Sequence, residues 1–310
     1  MKFEDLKNLV TSELNVKKFE CLNKGGGGCI NTGESYITDI GKIFIKSNDK
    51  EKSDIMFQGE FKSLLAIMET NTVKVPKPIK IIKNLNGNDI FLIMEYIDIE
   101  RCKNQKELGS KLAKLHIYNK TMKENNSKEY VKEFGFSIPT CCGFLPQNNH
   151  WSSDWIEFFI QQKLEYQINM IDDKHNDKEC ISIWSQLKEC IPKYFDGIII
   201  EPSLLHGDLW SGNIGQTPDG DPVIFDPASF YGHHEYDLGI AGIFGGFNEQ
   251  FYKAYHKVFP KMPGFDERHQ LYQLFHYLNH CKHKCLNRNH FGGSYRSPSI
   301  NIMKKLIKDY

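Results

Sequence analysis

His206-Gly207-Asp208-Leu209-Trp210-Ser211-Gly212-Asn213 sets a carboxylate and an amide five residues apart in a glycine-containing loop, and a second carboxylate, Asp226, follows the apolar run Val223-Ile224-Phe225. Phosphoryl transfer needs this set of groups. One carboxylate must accept a hydrogen bond from the attacking hydroxyl, while an amide oxygen and another carboxylate hold the Mg²⁺ that neutralises charge between the phosphates. Asp208 suits the first role, and Asn213 and Asp226 suit the other two. Upstream, Lys46 at the end of a strand-like run and Glu60 on the following helical stripe can form an ion pair that points a lysine at the α and β phosphates. Gly25, Gly26, Gly27 and Gly28 can cover those phosphates with backbone N–H groups. Each piece alone has an ordinary reading: a turn for the glycines, a solvated lysine, and turn caps for Asp208, Asn213 and Asp226-Pro227. Their joint order along the chain is what carries meaning. No Gly-x4-Gly-Lys-Ser/Thr string occurs, which excludes the P-loop route to nucleotide binding.

The elements that must position these groups fall into two regions. Phe3, Leu6, Leu9, Val10 and Leu14 recur at helical spacing, Gly25 to Cys29 breaks any regular element, and Lys42 to Lys46 alternates as a short strand. Between Ile55 and Met68, the apolar positions Phe57, Phe61, Leu64, Leu65 and Met68 form an amphipathic helical stripe, ended by Pro76 and Pro78. The runs Ile79 to Ile82 and Ile90 to Met94 flank Asn86-Gly87-Asn88 and predict a hairpin. Beyond Glu95-Tyr96-Ile97-Asp98 the pattern turns helical: Leu108 to Tyr118, Asp154 to Met170, Asp177 to Tyr194, Tyr236 to Phe244 and Glu267 to Cys281. The shift places a boundary at residue 97, with a mostly antiparallel nucleotide-binding lobe over 1–97 and a helical lobe carrying catalytic loop and substrate site over 98–310.

Composition narrows the class. A length of 310 residues with 40% hydrophobic side chains supports a sizeable core, and 39 basic against 39 acidic residues leave no surplus charge for a nucleic-acid partner. No apolar run approaches the ~18 residues that a membrane span requires, and the opening residues show no leader, so a soluble cytoplasmic protein is expected. Nine cysteines, an odd number spread over the chain, suit reduced cytosolic thiols better than a disulfide framework.

The string HGDLWSGN from His206 to Asn213, followed by FDPASFYGH from Phe225 to His233, resembles the fructosamine-3-kinase/ketosamine-3-kinase family. The resemblance spans nearly the whole chain: GGGCIN from Gly26, FIKS around Lys46, MFQGE from Met56 to Glu60, KVPKPIK from Lys74, FGF from Phe134, TCCGFLPQ from Thr140, FGGF from Phe244 and YRSPS from Tyr295. It implies an α+β, bilobal protein-kinase-like fold of the aminoglycoside and choline kinase type. It also implies ATP and Mg²⁺ as cofactors, with Lys46 anchoring the nucleotide, Glu60 pairing with it, Asp208 catalytic, and Asn213 and Asp226 on the metal. The segment Met94 to Ile97 becomes an inter-lobe hinge in which Glu95, Tyr96 and Ile97 offer backbone groups to adenine. The implied activity is phosphorylation of the 3-hydroxyl of ketosamines, free or on glycated proteins, which starts deglycation because the 3-phosphate makes the adduct unstable. The stretches Thr72 to Lys80 and Ser299 to Met303 look like the ketosamine-3-kinase branch, which favours ribulosamines and psicosamines. The rival readings are a kinase of the same fold for an aminoglycoside or choline-like alcohol, and a catalytically silent nucleotide-binding scaffold.

Trp210, inside the catalytic loop, is the leading candidate to stack on a sugar. Trp151, Asp154 and Trp155 form an aromatic and acidic cluster that either receives the amine-bearing sugar or starts a buried helix. His233, His234 and Asp237 read as braces for the metal loop. The chain departs from the family by inserting Cys281 to Arg288, expected to be a polar surface turn rather than a zinc site. Cys29, directly after four glycines over the phosphates, is a redox candidate, since backbone N–H groups and Lys46 favour its thiolate. A monomer, or a homodimer linked through Cys29, is the expected assembly.

Overall fold

Helix α1 (Phe3–Leu14) ends at Asn15, whose left-handed backbone (φ 54°) returns its N–H to Thr11. Strands β1 (Phe19–Asn23), β2 (Thr32–Thr38) and β3 (Gly41–Asn48) follow, then α2 (Ser53–Glu69), β4 (Pro78–Lys83) and β5 (Ile90–Glu95). The computed structural model describes residues 2–23, 32–85, 87–285 and 293–309.

The five strands make one antiparallel sheet in the order β1-β2-β3-β5-β4. The expected hairpin forms, with Ile81 opposite Leu92 and Ile82 opposite Phe91. Strand alternation sorts the side chains by face. Ile43 and Ile45 of β3, with Phe91 and Ile93 of β5, join Val10, Phe19 and Tyr36 in a cluster beneath α1. Phe44 and Lys46 project from the other face, toward a cleft. Leu92 and Met94 likewise join a second, larger cluster with Met56, Phe57, Leu64 and Ile67 of α2, and this cluster continues through the helical region. The two regions therefore share one apolar core beneath the sheet.

After β5 come α3 (Gln105–Glu124), the β6 (Thr140–Cys142) and β7 (Leu145–Gln147) hairpin, and α4 (Trp155–Phe158). The predicted helix over Asp154 to Met170 is not regular. A π-helical stretch, Phe159–Glu165, joins α4 to α5 (Tyr166–His175). In that stretch Lys163 is fully buried, its Nζ donating to Gln147 Oε1 (2.9 Å) and Asn149 Oδ1 (2.7 Å) and lying 3.9 Å from the Phe230 ring centroid. Helix α6 (Lys178–Cys190) stops short of the predicted Tyr194, because Pro192 cannot donate in an α-helix and the chain tightens into a 3-10 turn, Ile191–Phe195.

Short paired strands follow: β8 (Ser203–Leu204) with β11 (Tyr231–Gly232), and β9 (Ile214–Gln216) with β10 (Pro222–Ile224). Helix α7 (Tyr236–Ala241) ends before the predicted Phe244, and the chain turns through Gly245 and Gly246, both at positive φ. Helices α8 (Glu249–Tyr255), α9 (Phe265–Cys285) and α10 (Gly293–Lys308) complete the chain. The inserted residues 281–285 thus prolong α9 rather than opening a turn, because the helical pattern of α9 simply continues. The rest of the insertion lies outside the described residues. Among the described residues no helix is long and apolar enough to cross a membrane.

Candidate active site

Lys46 and Glu60 come from β3 and α2, and the packing of α2 under the sheet closes the gap between them. Lys46 Nζ lies 2.6 Å from Glu60 Oε1 and 2.5 Å from Asp226 Oδ1, with Lys46 and Glu60 both buried. Burial opposes the charge on Lys46, but the carboxylates of Asp226 and Glu60 outweigh it and hold the ammonium charged. Burial lifts Glu60 to about 7, against the pull of Lys46. Helix α2 is fixed in this position from below. Ser63 Oγ accepts the Ser229 N–H (3.0 Å), and Gly59 leaves no room for a side chain, since a Cβ would sit 2.9 Å from the Pro139 carbonyl oxygen.

The loop from His206 to Asn213 is built on a buried scaffold. Asp237 of α7 accepts the N–H groups of His206 and Gly207, each at 2.8 Å, and bonds His116 Nε2 of α3 at 3.0 Å. His116 Nδ1 in turn meets the Tyr255 hydroxyl at 2.8 Å. Burial disfavours the Asp237 charge, but the His116 bond and the loop N–H groups reverse the effect and hold its carboxyl below the usual range. Gly207 adopts φ +84°, and a Cβ there would strike the Ala228 carbonyl oxygen at 2.1 Å, so only glycine fits. Asp208 N–H donates to His206 Nδ1 (3.2 Å), so His206 is protonated at Nε2 and donates from there to the Phe225 carbonyl (3.0 Å). This bond ties the loop to the segment that delivers Asp226.

Replacing Asp237 with Asn turns an amide NH₂ toward the donors that the carboxylate accepts. Asp237→Asn is expected to lower the melting temperature by several degrees and kcat by about tenfold or more, since hydrogen bonds to a charged group are worth about 1.5–3 kcal/mol each. Calorimetry and initial rates check it.

Asn213 Nδ2 donates to the Asp208 carbonyl (2.8 Å) and approaches Asp208 Oδ2 (3.5 Å). With its NH₂ so committed, the amide oxygen is left to coordinate. Asp226, half-exposed, holds a left-handed backbone (φ 58°), a conformation that costs free energy and that turns its carboxylate back toward Lys46 and the cleft. An amide oxygen and a carboxylate are hard donors, the chemistry that suits Mg²⁺. Burial raises the Asp208 carboxyl to about 7, with further upward pushes from Asp226 and Asp237.

These groups line one cavity of about 530 Å³, a volume within the range of small-molecule sites. Lys46, Glu60, Glu95, Tyr96, Ile97, Asp208, Trp210, Asn213 and Asp226 all lie on it. Just after β5, Glu95 N–H bonds the Lys77 carbonyl and Tyr96 N–H the Lys42 carbonyl, whereas the Ile97 N–H bonds no carbonyl among the described residues.

Trp151 and Asp154 do not line the cavity. Asp154 is the N-cap of α4, accepting the Glu157 N–H at 2.7 Å, and Trp155 is buried among Phe134, Phe159 and Phe230 with its indole N–H on the Tyr272 hydroxyl. Asp154 and Trp155 thus fit the helix-start reading. Trp151 packs beside Tyr231, 6.2 Å between ring centroids. His233 and His234 bond the Tyr272 and Tyr255 hydroxyls behind the loop, while Asp237 braces the loop directly. Gly25, Gly26, Gly27, Gly28 and Cys29 lie outside the described residues. Sequence reasoning missed His116, which only the fold brings beneath the loop. It also missed Cys141 and Gly143, which line the cavity from the β6–β7 hairpin.

The sequence model of a family described as fructosamine kinase matches residues 3–309. The chain is 46% identical to mouse ketosamine-3-kinase, over 98% of this chain and 100% of that one. It is 40% identical to the chloroplastic protein-ribulosamine 3-kinase of Arabidopsis thaliana, over 99% of this chain and 89% of that one. Among solved structures, the choline kinase LicA of Streptococcus pneumoniae superposes with a TM-score of 0.60 at 14% identity, covering 99% of both chains. That likeness concerns the fold.

Proposed function

This chain belongs to the fructosamine kinase family, and from that premise we propose that it transfers the γ-phosphoryl group of ATP to the 3-hydroxyl of ketosamines, free or carried on protein lysines. The observation that carries the reading is the convergence of Lys46, Glu60, Asp208, Asn213 and Asp226 on one cleft, in a chain so similar to a ketosamine kinase along its whole length. An inert scaffold has no need to keep all five.

In this reading residues 1–97 hold the nucleotide and residues 98–310 the acceptor. The Ile97 N–H binds adenine alongside Glu95 and Tyr96, Gly25 to Gly28 cover the phosphates, and Lys46, kept charged by Glu60, sits against phosphate oxygens. Asn213 and Asp226 hold Mg²⁺, which when bound neutralises charge between the phosphates. Asp208 accepts the hydrogen bond of the 3-hydroxyl, aligns its oxygen for in-line attack and takes its proton as the new ester forms. Trp210, a third exposed on the cleft wall, stacks on the sugar. The enzyme works in the cytoplasm, as a monomer or as a dimer linked through Cys29.

Incubation with Mg·ATP and a panel of acceptors tests this. ADP should appear with ribulosamine and psicosamine conjugates and more slowly with fructosamines, and should not appear above background with choline or kanamycin-like aminoglycosides. Strong phosphorylation of choline or an aminoglycoside, with silence on every ketosamine, assigns the chain to another branch of small-molecule kinases.

A further inference from the structure

Behind Asp208 lie two buried side chains that phosphoryl transfer does not use. Cys142 of β6, 2% exposed, turns its thiol inward while its neighbours Cys141 and Gly143 line the cleft. His276 of α9 is fully buried, and neither of its ring nitrogens has a hydrogen-bond partner among the described residues. The ligating atoms of Cys142, Asp208 and His276 all lie within 4.8 Å of one another. The vacancy in hydrogen bonding extends to the surroundings. Among the described residues, the buried hydroxyl of Tyr236, whose ring centroid is 5.3 Å from that of His276, and the amide oxygen of Asn279 also have no partner. A buried polar group without a partner costs about 1–3 kcal/mol, so several in one place point to a group that satisfies them.

We propose that this pocket is an inhibitory zinc site, with Cys142 Sγ, an Asp208 carboxylate oxygen and His276 as protein ligands and water in the fourth position. A thiolate, an imidazole and a carboxylate form a donor set that zinc takes and that Mg²⁺ does not. Ligand atoms around a tetrahedral zinc lie roughly 3–4 Å apart, so a small inward movement of the three side chains closes the site. Burial pushes His276 down to about 3, which keeps its ring neutral with a lone pair to donate. Asn279 Nδ2 lies 3.2 Å from Cys142 Sγ and donates to it, a contact that strengthens as the thiol becomes a thiolate. On binding, the Cys142 S–H bond breaks, its proton leaves to solvent, and a zinc–sulfur bond forms. The ion enters past Asp208, the one member of the three that lines the cleft. That inhibition follows from binding rests on the role of Asp208 given above, because a carboxylate oxygen on zinc no longer serves the acceptor hydroxyl.

The test titrates Zn²⁺, and separately Co²⁺, into wild type, Cys281→Ser and His276→Phe under saturating Mg·ATP. It reads bound metal, thiolate-to-cobalt charge-transfer absorption and the initial rate on a ribulosamine conjugate. Phenylalanine keeps the aromatic contacts of His276 with Tyr236 and Phe275 and removes two unbonded nitrogens, so His276→Phe is expected to fold and turn over normally. Wild type and Cys281→Ser should show the thiolate band and lose about tenfold or more of their rate, recovered with a zinc-selective chelator, while His276→Phe shows neither. Equal inhibition of His276→Phe overturns the proposal by assigning zinc to the Mg²⁺ ligands. Absence of the thiolate band in wild type overturns it even if His276→Phe is insoluble. Metal bound with the band present and the rate unchanged keeps the site but contradicts both the inhibition and the role of Asp208.

Discussion

Asp208→Asn should lower kcat on a ribulosamine by about a thousandfold while leaving ATP affinity within a few-fold of wild type, because the role proposed for the side chain concerns the acceptor and not the nucleotide. The contacts that organise the nucleotide side survive the change. The Asn213 bond at 2.8 Å goes to the Asp208 backbone carbonyl, and the Lys46–Glu60–Asp226 cluster does not involve Asp208. What is lost is an acceptor for the hydroxyl proton, since an amide neither takes a proton nor draws one by charge. Stability should move the other way. The folded carboxyl titrates at about 7, above its ordinary value of 3.8, so its ionised form opposes folding. That penalty is absent below about pH 4 and grows to its full size as pH rises through 7. At pH 8 the neutral amide should therefore melt at least as high as wild type. A dead enzyme with an undiminished melting temperature separates chemistry from folding. Kinetics and calorimetry on the same sample provide the check, and near wild-type turnover contradicts the role of Asp208.

Asp226→Asn should fail differently, raising KM for Mg·ATP about tenfold or more and lowering kcat by about a hundredfold. Asparagine tolerates the left-handed backbone at φ 58°, so the substitution removes charge without adding strain. It removes the carboxylate proposed to hold Mg²⁺, which is also one of the two carboxylates that hold Lys46, whose Nζ then depends on Glu60 alone. Raising Mg²⁺ should recover part of the loss, because a weakened metal site fills by mass action. Titrating Mg²⁺ at fixed ATP for both variants separates them: Asp226→Asn responds and Asp208→Asn does not.

How far these sites were legible before folding depended on whether their partners were close in sequence. The Asp208 to Asn213 loop and Asp226 carry their chemistry in local spacing, and helical and strand periodicity placed Lys46 on β3 and Glu60 on α2. The clamp of Asp237 and His116 is different, since it joins residues 121 apart through a contact that neither sequence neighbourhood announces. Cys142 and His276 meet in the same way, from a short hairpin and a long helix. Strand β2 gave little warning because Thr32, Glu34, Ser35 and Thr38 leave Tyr36 and Ile37 as its apolar side chains, and the sheet stabilises it by pairing rather than by pattern. Asp154 shows the converse: an acid beside two tryptophans suggests a cationic ligand, yet the helix N-terminus beside it uses the carboxylate as a cap.

The central claim is that this cleft phosphorylates a ketosamine at its 3-oxygen, and phosphorus NMR on a ribulosamine-lysine conjugate with Mg·ATP tests it most directly. The account predicts one new phosphate monoester coupled to the proton on carbon 3, formed in step with ADP, absent with Asp208→Asn, and followed by release of the free lysine amine. A monoester at any other oxygen, or ATP consumed with no ester on the sugar, contradicts it.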